Sequence, residues 1–127
     1  MDRKPRALIY CRVATSEQAD DFALNAQSAR LHQQAEREQF NIVGEVKACE
    51  YGTTLDRPGW QKAVRLATEQ NADIILVAKC TCVARGTFML TQAIHDLNQR
   101  GIQLHAGDEM ISLRMLWPYF EGLGTHI

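Results

Sequence analysis

The side chains best suited to bind a metal or attack an electrophile in this 127-residue chain are four cysteines, Cys11, Cys49, Cys80 and Cys82. Each falls near the carboxyl end of an expected strand, and four thiolates are in principle enough for a tetrahedral zinc site. The Cys80-x-Cys82 spacing is tighter than the gap usual between zinc ligands, so the cysteines read instead as small core residues. The histidines at 32, 95, 105 and 126 show no ligand spacing. No metal or other cofactor is expected. Three arginines, Arg12, Arg57 and Arg85, follow the same expected strands. On their own they read as solvated rim charges or as ion-pair partners of Glu50 and Asp56.

The elements that must position these residues alternate. Ala7 to Cys11 and Asp73 to Ala78 are apolar runs of the kind covered on both sheet faces, and so read as central strands. Residues 41 to 49 alternate, with Ile42, Val46 and Ala48 on one side and Glu45 and Lys47 on the other, which predicts a strand near an edge. Leu24, Leu31 and Ala35 predict an amphipathic helix from about Phe22 to Gln39. Pro58 in a first turn, with Trp60, Ala63, Val64 and Ala67 behind it, predicts a second. A third runs from a Thr87 cap through Leu90, Ile94 and Leu97 to Arg100, ended by Gly101 before the strand Ile102-Gln103-Leu104. The order β-α-β-α-β-α-β implies right-handed crossovers and a three-layer α/β fold, a mainly parallel four- or five-stranded sheet flanked by helices. Its functional edge is the carboxyl ends of the strands, where Arg12, Arg57 and Arg85 fall.

Three stretches in that order resemble the serine site-specific recombinases, the resolvases and invertases. Tyr10-Cys11-Arg12-Val13-Ala14-Thr15 resembles the opening motif, in which the residue after Arg-Val is the serine that attacks DNA. Gly52-Thr53-Thr54-Leu55-Asp56-Arg57-Pro58-Gly59-Trp60 looks like the glycine-rich loop, arginine and helix start. Lys79-Cys80-Thr81-Cys82-Val83-Ala84-Arg85 aligns with a family Lys-Leu-Asp-Arg-Leu-Ser-Arg, so Thr81 replaces an acid and Cys82 an arginine. The resemblance implies a DNA-recombination context, as in a mobile element or phage, and gives Arg12, Arg57 and Arg85 the role of steadying phosphate oxygens.

The same resemblance implies an inactive site. A methyl group at Ala14 can neither attack a phosphodiester nor hold it covalently. Thr15 and Ser16 follow at once, but a step of one residue along an extended chain turns a side chain to the opposite face. A rearranged recombinase or nuclease using one of these hydroxyls is the first alternative; a small regulatory or thiol-rich binding module on the same fold is the second.

Composition bounds the partners. With 46% hydrophobic and 23% charged residues the chain reads as an ordinary globular domain, and a net charge of -1 predicts only weak DNA binding alone. Arg12 interrupts the first apolar stretch, so neither a signal peptide nor a membrane span is expected there, and a cytoplasmic protein with reduced thiols is. A small-molecule substrate is not expected. Residues 1–108 read as the resolvase-like domain and 109–127 as a short divergent tail, broken by Pro118, in place of a long dimerisation helix and a DNA-binding domain. Homodimerisation or pairing with an intact recombinase is the expected assembly.

Overall fold

A computed structural model describes residues 3–14, 18–50 and 57–116. Five strands, β1 (Arg6–Val13), β2 (Asn41–Cys49), β3 (Ile74–Val77), β4 (Gln103–Ala106) and β5 (Glu109–Ile111), form one sheet in the order β2-β1-β3-β4-β5. All pairs are parallel except β4 with β5. The α/β fold expected from the alternation is therefore present, with β1 and β3 internal and β2 on an edge.

Strand periodicity sorts the core into two layers. From β1, Ala7, Ile9 and Cys11 pack with Ile74 and Leu76 of β3 beneath Leu31 and Ala35 of α1 (Gln18–Glu38). Leu8 and Tyr10 point the other way, joining Ile75 and Val77 against Trp60, Ala63 and Val64 of α2 (Pro58–Glu69) and Leu90, Ala93 and Ile94 of α3 (Thr87–Gln99). Because β1 is buried on both faces, six of its side chains in sequence are buried, which is why its run carries no polar alternation.

Two sequence expectations are corrected. Ile42 does not share a face with Val46 and Ala48. The β1–β2 register skips between Ala7/Ile42 and Leu8/Gly44, leaving Val43 as the extra residue of a bulge, so Ile42 packs with the α1 layer and Val43 with the α2–α3 layer. Gly44 suits the bulge, since a Cβ there would come within 3.1 Å of Leu8 Cδ1. The second correction concerns α3. Gly86 occupies its N-cap in an extended conformation with no side-chain cap, and Thr87 is already the first helical residue.

α1 begins at Gln18, about a turn before the expected start near Phe22, while the start of α2 and the end of α3 match expectation. Pro58 opens α2 at a position whose N–H would lack an intrahelical partner, and Gly101 follows α3 at φ 77°, where a side chain would be strained. Residues 109–111, which the sequence assigned to the tail, pair with β4 as β5. Leu113, in a short 3-10 helix Leu113–Leu116, packs against the larger core. Residues 117–127, which carry the rest of that tail, lie outside the described residues. Among the described residues no helix is long and apolar enough to cross a membrane.

Candidate functional site

The site forms where β1, β2 and β3 end on one edge. Arg12 is the penultimate residue of β1, beyond the last β1–β3 pair at Ile9/Leu76. There Gln27 of α1 replaces a strand: its Oε1 accepts the Arg12 N–H at 3.2 Å and its Nε2 donates to the Arg12 carbonyl at 2.9 Å. The strand end is thus held straight, and the Arg12 side chain is aimed across the edge.

That side chain is not a solvated rim charge. Its guanidinium donates from Nε to the Cys82 carbonyl at 2.8 Å, from NH1 to the Glu50 carbonyl at 2.6 Å, and from NH2 to the Thr81 carbonyl at 2.7 Å. Arg12 is 9% exposed. A planar fork of donors is well suited to bridge carbonyls on two loops at once, and it draws the segments after β2 and β3 against β1.

Glu50 organises the other half. One carboxylate oxygen accepts the Gly59 N–H at 2.9 Å; the other accepts the Trp60 N–H at 2.9 Å and the Tyr10 hydroxyl at 2.7 Å. The acid therefore satisfies the first-turn donors of α2, where a negative charge is also favoured by the helix dipole. Burial, reinforced by the bond to Glu50, holds the Tyr10 phenol far above its ordinary titration range. Gly59 is required for this approach, because a Cβ there would lie 2.5 Å from the Ala48 Cβ and 2.7 Å from Glu50 Oε2.

Arg57, the N-cap of α2, is 2% exposed; it donates to the Val83 carbonyl, and its Nε lies 4.0 Å from Glu50 Oε2. Burial lowers its pKa, with Arg12 opposing the charge and Glu50 supporting it. The expected pairing of an arginine with Glu50 is therefore found, but in a buried setting. Asp56 lies outside the described residues, as do Thr15 and Ser16.

The remaining sequence-derived positions differ in environment. Ala14 is half-buried immediately after β1. Cys82 is buried in a short 3-10 helix (Cys80–Cys82), its thiol 3.9 Å from Gln27 Oε1. The Thr81 side chain is exposed while its carbonyl holds Arg12. Arg85 and Lys79 are exposed on either side of that turn. Arg12, Arg57, Thr81 and Cys82 thus meet through one hydrogen-bonded network, with Arg85 three residues away in sequence.

The cysteines do not gather as ligands. Among the described residues no group of three His, Cys, Asp or Glu side chains is placed to hold a metal. Burial pushes the Cys11 thiol up to about 12, with Glu45 adding to the effect, and burial also raises Cys80. Neither is a poised nucleophile at neutral pH.

A family model, the N-terminal domain of resolvase, matches residues 7–115. The chain belongs to this family. Solved structures similar to this resolvase-family chain include the N-terminal catalytic domain of TP901-1 integrase, 22% identical over 94% of this chain and 92% of that one, with a TM-score of 0.73. A resolvase family site-specific recombinase from Streptococcus pneumoniae is 21% identical over 93% and 87%, with a TM-score of 0.76. A serine recombinase from Sulfolobus solfataricus is 19% identical over 94% and 80%, at 0.66. At these identities the likeness is one of fold. Among curated proteins there is no match.

Sequence reasoning missed Gln27 and Glu50 as site residues. Gln27 was visible as a polar residue set between Leu24 and Leu31 on the apolar stripe of α1, a register at which a polar group needs a specific buried partner. Glu50 was visible as an acid just after a strand and shortly before a proline-initiated helix whose first N–H groups need acceptors.

Proposed function

We propose that this resolvase-type serine recombinase domain does not cleave DNA, and that it keeps the family's arginine framework without its covalent chemistry. The observation that carries this reading is Ala14. It stands one residue past the end of β1 and two past Arg12, in the position of the family serine, and its methyl group has no lone pair to offer phosphorus.

Two further features support it. Cys82, a buried side chain without a guanidinium to offer, takes the place of a transition-state arginine; loss of one such donor typically costs about two to three orders of magnitude in rate. Arg12, which would face phosphate in the family reading, directs Nε, NH1 and NH2 at three backbone carbonyls. The domain fits a non-catalytic partner of an intact recombinase, or a remnant of a mobile element, with weak DNA affinity of its own.

The experiment is incubation of the purified protein with supercoiled plasmid, read for nicking, relaxation and protein–DNA adducts that survive denaturation. The expected result is none of these. An adduct mapped to Thr15 or Ser16 overturns the proposal in favour of a rearranged active site.

A further inference from the structure

On the face away from α1, helices α2 and α3 leave a groove of about 620 Å³ between them. Its floor is Trp60, Val64 and Ala93, all members of the larger core. The charges at one end are already committed to each other: Arg100 pairs with Asp96 on its own helix at 3.2 Å and donates from NH1 to Thr68 Oγ1 of α2 at 3.3 Å. That end is a neutral sill. What the groove offers an occupant arriving over it is apolar surface rather than charge.

The described residues end beside this sill. β5 runs antiparallel to β4 and so carries the chain back to the end of the sheet where α3 finishes; Ile111 and Ser112 line a cavity together with Asn98 and Gly101. The turn Leu113–Leu116 then packs on α3, with Leu113 against the same core as the groove floor. Residues 117–127 lie outside the described residues, and their sequence opens Trp117-Pro118-Tyr119-Phe120. Three aromatics in four positions amount to an apolar patch of the kind that marks an interaction site, and Pro118 opposes continuation of the turn as a helix. An extended chain gains about 3.3–3.6 Å per residue, so four residues beyond Leu116 reach about 14 Å, more than the roughly 10 Å width of a helix.

We infer that the segment Trp117–Phe120 passes the end of α3 and seats in the α2–α3 groove of its own chain, with Tyr119 and Phe120 on the floor formed by Trp60, Val64 and Ala93. Aromatic rings suit this floor because Trp60 is itself an aromatic surface. The contact also reaches the candidate site. The Trp60 ring meets Tyr10 edge-on with centroids 5.2 Å apart, and the Tyr10 hydroxyl and the Trp60 N–H both donate to Glu50. A segment seated in the groove therefore braces the residue that carries the Glu50 network, whether or not the domain cleaves DNA.

NMR of the full chain with labelled alanine and valine methyl groups tests it. The Val64 and Ala93 methyls should show nuclear Overhauser effects to the ring protons of Tyr119 or Phe120. The double variant Tyr119→Ser with Phe120→Ser should lose these effects and shift both methyl signals as the ring currents disappear. Ala7 and Ala35, in the α1 layer, should keep their signals, which controls for folding. Val64 and Ala93 signals indifferent to the double substitution overturn the inference. A mixture of labelled and unlabelled chains separates the remaining arrangement: ring contacts that appear only between different copies place the segment on a second chain and also overturn it.

Discussion

The Arg12 guanidinium donates from Nε to the carbonyl of Cys82 at 2.8 Å, so the end of β1 is fastened to the backbone of the turn that follows β3. With the Glu50 and Thr81 carbonyls also held, Arg12 acts as a staple between three chain segments. Its removal leaves three carbonyls short of a donor in a largely dry setting.

Arg12→Ala is therefore expected to cost about 2–4 kcal/mol of folding stability, the scale for stranding several partners of charge-assisted hydrogen bonds. Arg85→Ala, at an exposed position, should stay within about 0.5 kcal/mol. Urea unfolding of both variants checks the contrast. Equal effects would show that Arg12 is not a structural tie.

Glu50→Ala removes the acceptor for two α2 backbone N–H groups and the Tyr10 hydroxyl, and leaves Arg57 without its nearby negative charge. A loss of about 3–5 kcal/mol is expected, as for breaking one side of a buried charged pair. Tyr10→Phe loses a single bond to that carboxylate and should cost about 1–3 kcal/mol. Thermal unfolding of the two variants should rank them in that order.

On the proposed reading Ala14→Ser alone should not restore cleavage, because Thr81 and Cys82 stand where the resemblance implies an acid and an arginine. Denaturing gels of the variant with supercoiled DNA should show no covalent adduct. An adduct mapped to the introduced serine would mean that the missing hydroxyl was the sole defect.

Glu45 supplies a pH dependence. Burial pushes its carboxyl up, but hydrogen bonds from Ser28 and His32 outweigh this and lower it below the ordinary carboxylate value of 4.5. A folded-state pKa below the unfolded one stabilises the fold above the unfolded pKa, and that contribution disappears as pH falls through the folded value. Stability should thus drop as pH is lowered below about 4.5, and Glu45→Gln should flatten the drop. Urea titrations at a series of acidic pH values measure it.

Thiol access gives a further check. Cys49 is exposed whereas Cys11 and Cys82 are buried, and burial raises Cys11 to about 12. Alkylation near pH 8 should modify Cys49 first and reach Cys11 and Cys82 only on unfolding, as peptide mapping will report. Rapid labelling of Cys11 in the native protein would contradict its burial between β1 and α1.

The sequence by itself determined the layered architecture, since apolar runs in β1 and β3 can be buried only between helices, and the stripes on α1, α2 and α3 supply them. It also determined that Arg12, Arg57, Thr81 and Cys82 share one edge, because parallel strands put the loops that follow them on the same side of the sheet. It did not determine which atoms meet there. The bulge at Val43 reverses which face Ile42 occupies, and it arises from register between strands more than thirty residues apart, invisible to local alternation. The partners of Arg12 are backbone carbonyls of Glu50, Thr81 and Cys82, groups that every residue carries and that no side-chain pattern reveals. Only the folded arrangement of three chain segments decided that a residue expected to face phosphate or solvent would instead tie the site together.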